Sequence, residues 1–295
     1  MTKNLAITAN YLKTAMLMAG LMTALALGGQ LLGGYDGMLL MGGLGLVMNF
    51  AMYWFSDRIA LWSHGAKEVG PNEAPSLHRL VARLSERAGI PKPRVYVIPS
   101  DAPNAFATGR NPEHGVVAVT EGLMHLLSER ELAGVIAHEL AHIRNRDILI
   151  STIAAAVAGL ISAASFAIRW GTSFVGRGDD EDGGANYVGA IAWAIIAPIA
   201  AMIIQLAISR SREYGADATG AAICGDPDAL ANALERLDES KHSLPYENAG
   251  PATAHLFIMN PLRSGGLASL LAIFSTHPPM EERIARLRAM RASAA

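Results

Sequence analysis

The stretch GVIAHELAHIRNRDILISTIAAAVAGLISAASFA, residues 134–167, decides how this chain is organised. It opens with two histidines and a glutamate, and an uncharged apolar run begins at Ile148. Within HELAH, His138 and His142 stand four positions apart. On an α-helix, i and i+4 share a face, so both imidazoles can grip one metal ion. Glu139 lies beside that face, where a carboxylate can accept a proton from a metal-bound water. The bland alternative is two surface histidines meeting that spacing by chance. The flanks argue against it: Ser128-Glu129-Arg130-Glu131 is a capping-box start, and Val135, Ile136, Leu140 and Ile143 lay an apolar face along the helix.

Four segments are apolar and long enough to cross a bilayer, which takes about 20 residues of helix. They are 14–33, 38–55, 148–168 and 189–208, and none contains Asp, Glu, Lys, Arg or His. Tyr53, Trp54 and Trp170 stand at span ends, where amphipathic rings favour the headgroup layer. A cleaved signal peptide is the competing reading of the first span. Its apolar stretch is too long for that, and a second span follows after only Tyr35-Asp36-Gly37. For the last two spans the competing reading is a buried hairpin inside a soluble core.

Lys3, Lys13, Arg58, Lys67, Arg144, Arg146, Arg210 and Arg212 flank one side of this pattern. The other side has only Arg177, beside Asp179, Asp180, Glu181 and Asp182. The positive-inside rule then places both termini and residues 56–147 in the cytoplasm, with HELAH directly above the third span.

Composition agrees with this division. Of 295 residues, 51% are hydrophobic and 17% charged, too apolar for an ordinary soluble enzyme and too charged for spans alone. A net charge of −2 and the lack of a basic patch with interleaved aromatics give no reason to expect nucleic acid. Cys224 is the single cysteine, which excludes an internal disulfide and a Cys-rich metal site.

Between the hairpins, residues 72–89 carry Leu77, Leu80, Val81 and Leu84 at helical spacing and close on Gly89. PRVYVIP (93–99) and GVVAVT (115–120) read as strands, and NAFATG (104–109) as extended. Beyond the fourth span come helices at 210–224 and 227–240, a Gly/Pro-rich stretch at 243–266 that is either a lid or a surface loop, and a charged helix from Pro279. The expected fold is α+β and mainly helical: a multi-pass membrane protein with a zincin-like cytoplasmic catalytic domain containing a small sheet. Its parts are a hairpin at 1–55, the first part of the soluble domain at 56–147, a second hairpin at 148–208, and the second part at 209–295.

A catalytic metal needs a third protein ligand and an open position. SREYGADATG (211–220) offers Glu213, with Asp217 one turn later to take the second ring proton of a ligand histidine. An exposed charged helix end is the alternative. Position favours the ligand reading, because His142 and Glu213 flank the second hairpin and so emerge at one membrane face.

HELAH, the E-x-x-A-D of Glu213, Ala216 and Asp217, and the four spans together resemble the HtpX family of bacterial heat-shock membrane proteases. The likeness extends through NAFATGRNPEHGVVAVTEGL and FSTHPPMEERI, thus over nearly the whole chain. It implies one Zn²⁺ per subunit on His138, His142 and Glu213, with Glu139 as catalytic base. It further implies an endopeptidase of the inner membrane that acts on unfolded or misassembled membrane proteins under stress, alongside other quality-control proteases. NAFA is similar to the substrate-pairing edge of thermolysin-like enzymes, which gives Asn104 and Ala105 substrate contacts; a loop anchored by Phe106 is the alternative. Relatives carry His-Pro and a later Arg near the metal, so His277 and Arg283 are candidates for oxyanion stabilisation or gating. His277 equally suits a helix cap. His114, His125 and His255 read as surface or packing residues, Asn145 and Asp147 as capping or junction residues, and Tyr214 as packing or a transition-state donor.

Two rivals remain. A transporter with a regulatory metal would place ionisable groups inside its spans, and these spans have none. A catalytically inactive metal-binding scaffold or chaperone-like protein would need the histidines but not Glu139 between them.

Overall fold

The computed structural model describes residues 2–149, 210–240 and 278–294. The expected spans at 148–168 (beyond Leu149) and 189–208, the stretch 243–266, His255 and His277 lie outside these residues.

Helix α1, Thr2–Ser63, is broken at Gly33 (φ −142°, ψ 19°) and Gly34 (φ 60°, ψ −143°). Glycine reaches the second of these conformations without a Cβ penalty, so the chain can double back there. The two arms then touch. Asn49 donates its side-chain N–H to the carbonyl of Met18 at 2.8 Å, and a Cβ on either Gly29 or Gly37 would strike the other's carbonyl. Both arms lie within the residues 1–55 where a transmembrane hairpin is expected. The stretch Gly33–Phe55 is long and apolar enough to cross a membrane, and the arm Thr14–Gln30 is apolar but shorter. Leu39, Leu40, Leu46, Val47 and Phe50 all face outward, Leu40 with 73% of its surface exposed. A ring of apolar side chains suits a lipid solvent rather than a soluble core.

The last turns of α1 anchor the hairpin to a four-stranded sheet in the order β1-β2-β4-β3. Its strands are β1 Lys67–Glu68, β2 Arg94–Ile98, β3 Ala105–Thr108 and β4 Val116–Thr120. β2 and β4 run parallel, while β1 pairs with β2 and β3 with β4 antiparallel. Alternation sorts the side chains by face. Tyr96, Ile98, Phe106, Val116 and Ala118 pack with Leu61 of α1. Val95, Ala105, Ala107, Val117 and Val119 enter the main core. A sheet covered on both faces explains why the strands read as near-continuous apolar runs.

The main core is closed by helices. α2, Pro75–Ala88, buries Leu77, Leu80, Val81 and Leu84 and ends at Gly89 in the left-handed conformation (φ 65°). α3, Glu121–Leu126, is capped by the Thr120 hydroxyl, and α4, Glu129–Arg144, runs through the middle of the core. α5 (Arg210–Cys224), α6 (Pro227–Ser240) and α7 (Met280–Ala294) pack around it.

Candidate metal centre

α4 is fixed at its start by the capping box: Ser128 Oγ accepts from the Glu131 N–H, and Glu131 Oε2 accepts from the Ser128 N–H at 2.9 Å. Leu132, Val135, Ile136, Leu140 and Ile143 anchor the helix in the core. That anchoring holds His138 and His142 rigidly on the opposite side, one turn apart. α5 lies directly across them because Gly220 has no side chain. A Cβ there would sit 2.9 Å from the backbone N and Cα of His138. The close crossing brings Glu213 over both histidines.

Three ligand atoms converge. His138 Nε2 and His142 Nε2 are 3.2 Å apart, and the Glu213 carboxylate oxygens lie 3.7 Å and 3.6 Å from them, respectively. Ligands about 2.0–2.2 Å from a tetrahedral zinc stand roughly 3.3–3.6 Å from one another, so this triangle fits such an ion closely. Each ring also has a carboxylate beside Nδ1, hydrogen-bonded at His142 and close without hydrogen-bond alignment at His138. His138 Nδ1 lies 3.0 Å from Asp217 Oδ1, and His142 Nδ1 lies 3.2 Å from Asp147 Oδ2. A carboxylate at Nδ1 keeps the proton there and leaves the Nε2 lone pair for a metal.

The charges agree. Asp147, Glu139, Glu213 and Asp217 are all 9% exposed or less, and Arg283 is wholly buried with them. Arg212 adds a second guanidinium within electrostatic reach of Asp147 and Glu213. Four carboxylates against two guanidiniums, with neutral imidazoles, leave a formal excess of two negative charges. Without a metal that excess acts on His142: burial disfavours a charged ring, but Asp147, Glu213 and Glu139 outweigh it and raise its pKa to about 9. A divalent cation would answer the same excess, and two imidazoles with a carboxylate are donors that suit one.

Glu139 Oε2 accepts the backbone N–H of Ala107 at 2.8 Å, which leaves its other oxygen for a second partner. That amide belongs to β3, an outer strand of the described sheet. Substrate contacts are expected at Asn104 and Ala105, and the strand's hydrogen bonds show which way each backbone faces. Asn104 is 2% exposed and its backbone faces inward: its N–H donates to Thr120 Oγ1 at 2.8 Å and its carbonyl accepts from the Thr120 N–H at 2.9 Å. By the alternation of an antiparallel pair, the backbone groups turned toward the free edge are those of Ala105 and Ala107.

Arg283, a candidate for oxyanion stabilisation or gating, reaches the centre from behind Asp217. Its Nε and Nη2 donate to the two oxygens of Asp217 at 2.9 Å and 2.7 Å, and its Nη1 lies 3.8 Å from Glu213 Oε2. Two of its nitrogens are thereby committed to the carboxylate behind His138, while Nη1 has no hydrogen-bond partner among the described residues. Burial alone would raise the Asp217 pKa, but Arg283 and His138 hold it at about 2. Tyr214 lies under the Arg286 guanidinium, 3.8 Å from its ring centroid, in keeping with a packing role. Sequence reasoning missed Gly220, whose importance is the space it leaves, and Asp147, which it read as a junction residue.

Residues 71–291 match the profile of Peptidase family M48. The chain belongs to that family. A protein named Protease HtpX homolog from Desulforapulum autotrophicum is 54% identical over 280 residues, covering 95% of this chain and 89% of its own length. One of the same name from Pyrococcus furiosus is 54% identical over 279 residues, covering 94% and 95%. The crystal structure of S. mikatae Ste24p shares the fold with a TM-score of 0.51 at 19% identity; it matches 97% of this chain, which spans 66% of that protein's length. M48 membership, the HtpX relatives and the apolar hairpin make this a membrane-bound metalloprotease.

Proposed function

We propose that this M48 member is a zinc-dependent endopeptidase of the cytoplasmic membrane that cleaves unfolded or misassembled polypeptides, membrane proteins among them. The convergence of His138 Nε2, His142 Nε2 and the Glu213 carboxylate, each ring backed by an aspartate, carries this reading. Those three residues would hold one Zn²⁺, by donor type and spacing. When bound, the ion supplies Lewis acidity, polarising the scissile carbonyl and lowering the pKa of a bound water to about 7.

The protein's own groups do the rest. Glu139, positioned by the Ala107 N–H, takes the proton of the attacking water and delivers it to the leaving amine. Asp217 and Asp147 keep both rings in the tautomer that presents Nε2. The outward groups of Ala105 and the carbonyl of Ala107, whose N–H is held by Glu139, offer a strand edge to substrate backbone, and only an extended, unfolded chain can lie along it. The basic flanks of the hairpin support a cytoplasmic active site with both termini on that side. Partners follow from this: unfolded chains as substrates, the bilayer as solvent, and other quality-control proteases through the family resemblance.

The test pairs the purified protein in detergent with Glu139→Gln. Glutamine still accepts the Ala107 N–H but cannot take a proton. Both proteins should hold one zinc, while cleavage of unfolded casein should fall by roughly 10²–10⁴-fold in the variant. Equal cleavage by both would exclude Glu139 as the base. Zinc in both with no cleavage by either would favour the scaffold reading.

A further inference from the structure

The end of α4 performs two tasks with one residue. Asn145 closes the helix, and Arg146 then turns through the left-handed region at φ 60°. The Arg146 N–H donates to the Ile143 carbonyl at 3.1 Å, and the Asp147 N–H donates to the His142 carbonyl at 2.9 Å. This pair of bonds is the Schellman termination, which usually places glycine where Arg146 stands. Arg146 is the only non-glycine with positive φ among the described residues, so the turn is kept against the steric preference of an L-residue. Its result is that Asp147 folds back on the helix it has just left. The Asp147 carboxylate, 3% exposed, reaches His142 Nδ1 at 3.2 Å. One residue thus pins His142 at both ends, backbone to carbonyl and side chain to ring.

We propose that Asp147 is a positioning residue of the metal centre, delivered by the strained turn at Arg146 to hold the His142 ring with its Nε2 facing the ion. This rests on the metal reading of His138, His142 and Glu213. Asp147 also precedes the helical residues Ile148 and Leu149, so a simple N-cap is the competing role. Chemistry separates the two. Serine and asparagine both cap helices about as well as aspartate. Serine is too short to reach the ring from that backbone position, while asparagine keeps an acceptor there and loses only the charge.

The experiment compares the full-length wild type, Asp147→Ser and Asp147→Asn, each freed of metal. Zinc affinity is read by competition with a chromophoric chelator, and thermal unfolding of the metal-free forms is followed separately. A positioning role predicts zinc binding weakened on the order of 10–100-fold in Asp147→Ser, with partial recovery in Asp147→Asn. The metal-free unfolding temperatures of the two variants should match each other, since both lose the carboxylate that faces His142 and both retain a helix cap. Equal affinity in wild type and Asp147→Ser would overturn the proposal while leaving the metal reading intact. An Asp147→Ser that is less stable without metal than Asp147→Asn, with zinc affinity falling in step, would overturn it in favour of the cap. A wild type that binds no zinc would remove the metal reading, and this proposal with it.

Discussion

His138 and His142 point at the same spot, but what stands behind each is built differently. His142 is backed by Asp147, five residues along the same stretch of chain. His138 is backed by Asp217 from α5, and Asp217 is itself held by Arg283 from α7. The first support forms as soon as α4 ends in its turn. The second exists only when α4, α5 and α7 have assembled. Damage to the local support should therefore weaken metal binding more than the fold, whereas damage to the assembled support should weaken metal binding and the fold together.

The largest effect expected from this contrast is at Arg283. Arg283→Met keeps much of the side-chain volume but leaves Asp217 buried without its counter-ion. Breaking a buried pair in this way costs about 3–5 kcal/mol. Denaturant unfolding of the metal-free protein should reveal the loss, and zinc affinity should fall with it. Adding Asp217→Asn should restore part of the stability by removing the stranded charge. If the double variant is as unstable as the two single losses summed, the pair is not the source of the effect.

Next comes the helix crossing that makes the assembled support possible. Gly220→Ala inserts a methyl group against the backbone of His138, and overpacking of this kind costs about 1–3 kcal/mol. Displacing α5 carries Glu213 and Asp217 with it, so zinc binding should suffer as well. Gly215, on the same helix, has open space where its Cβ would be. Gly215→Ala should be neutral or stabilising by up to about 1 kcal/mol, since alanine favours helix. A similar loss at both positions would mean that helix propensity rather than the crossing governs α5.

Much of this was legible in the sequence, and the reasons can be given residue by residue. The i, i+4 spacing of His138 and His142 fixes a face once the helix is known, and the Ser128 capping box makes the helix known. The apolar stripe of α2 and the β-branched runs of β2 and β4 are periodic signals, and each became the expected element. Glu213 was readable from the residues around it. β1 was missed because two exposed residues, Lys67 and Glu68, carry no period. Arg283 was placed near the metal, but its partner on α5 cannot be inferred from a charged terminal helix. Asp147 was passed over because its side-chain direction depends on a left-handed turn at an arginine, where sequence reasoning looks for glycine.

The smallest effect should occur at the other end of α4, where local and distant contacts meet on one side chain. Glu131 accepts from Ser128 within the capping box, and its Oε1 lies 2.9 Å from Arg236 Nε on α6. Burial tends to raise the Glu131 pKa, but the Ser128 hydrogen bonds and Arg236 prevail and lower it. Glutamine preserves a capping box, so Glu131→Gln keeps the local contact and removes only the charge toward Arg236. Arg236 is half exposed, which limits the loss to at most about 1 kcal/mol at neutral pH and low salt. Because the folded pKa lies below the unfolded value of about 4.3, the charge stabilises fully above that value. The contribution is then lost as pH falls through the folded pKa. Unfolding temperatures of wild type and variant should therefore differ most near neutrality and converge in acid. A gap that persists in acid would show that glutamine disturbs the capping box itself, and the local contact would then outweigh the distant one at this end of α4.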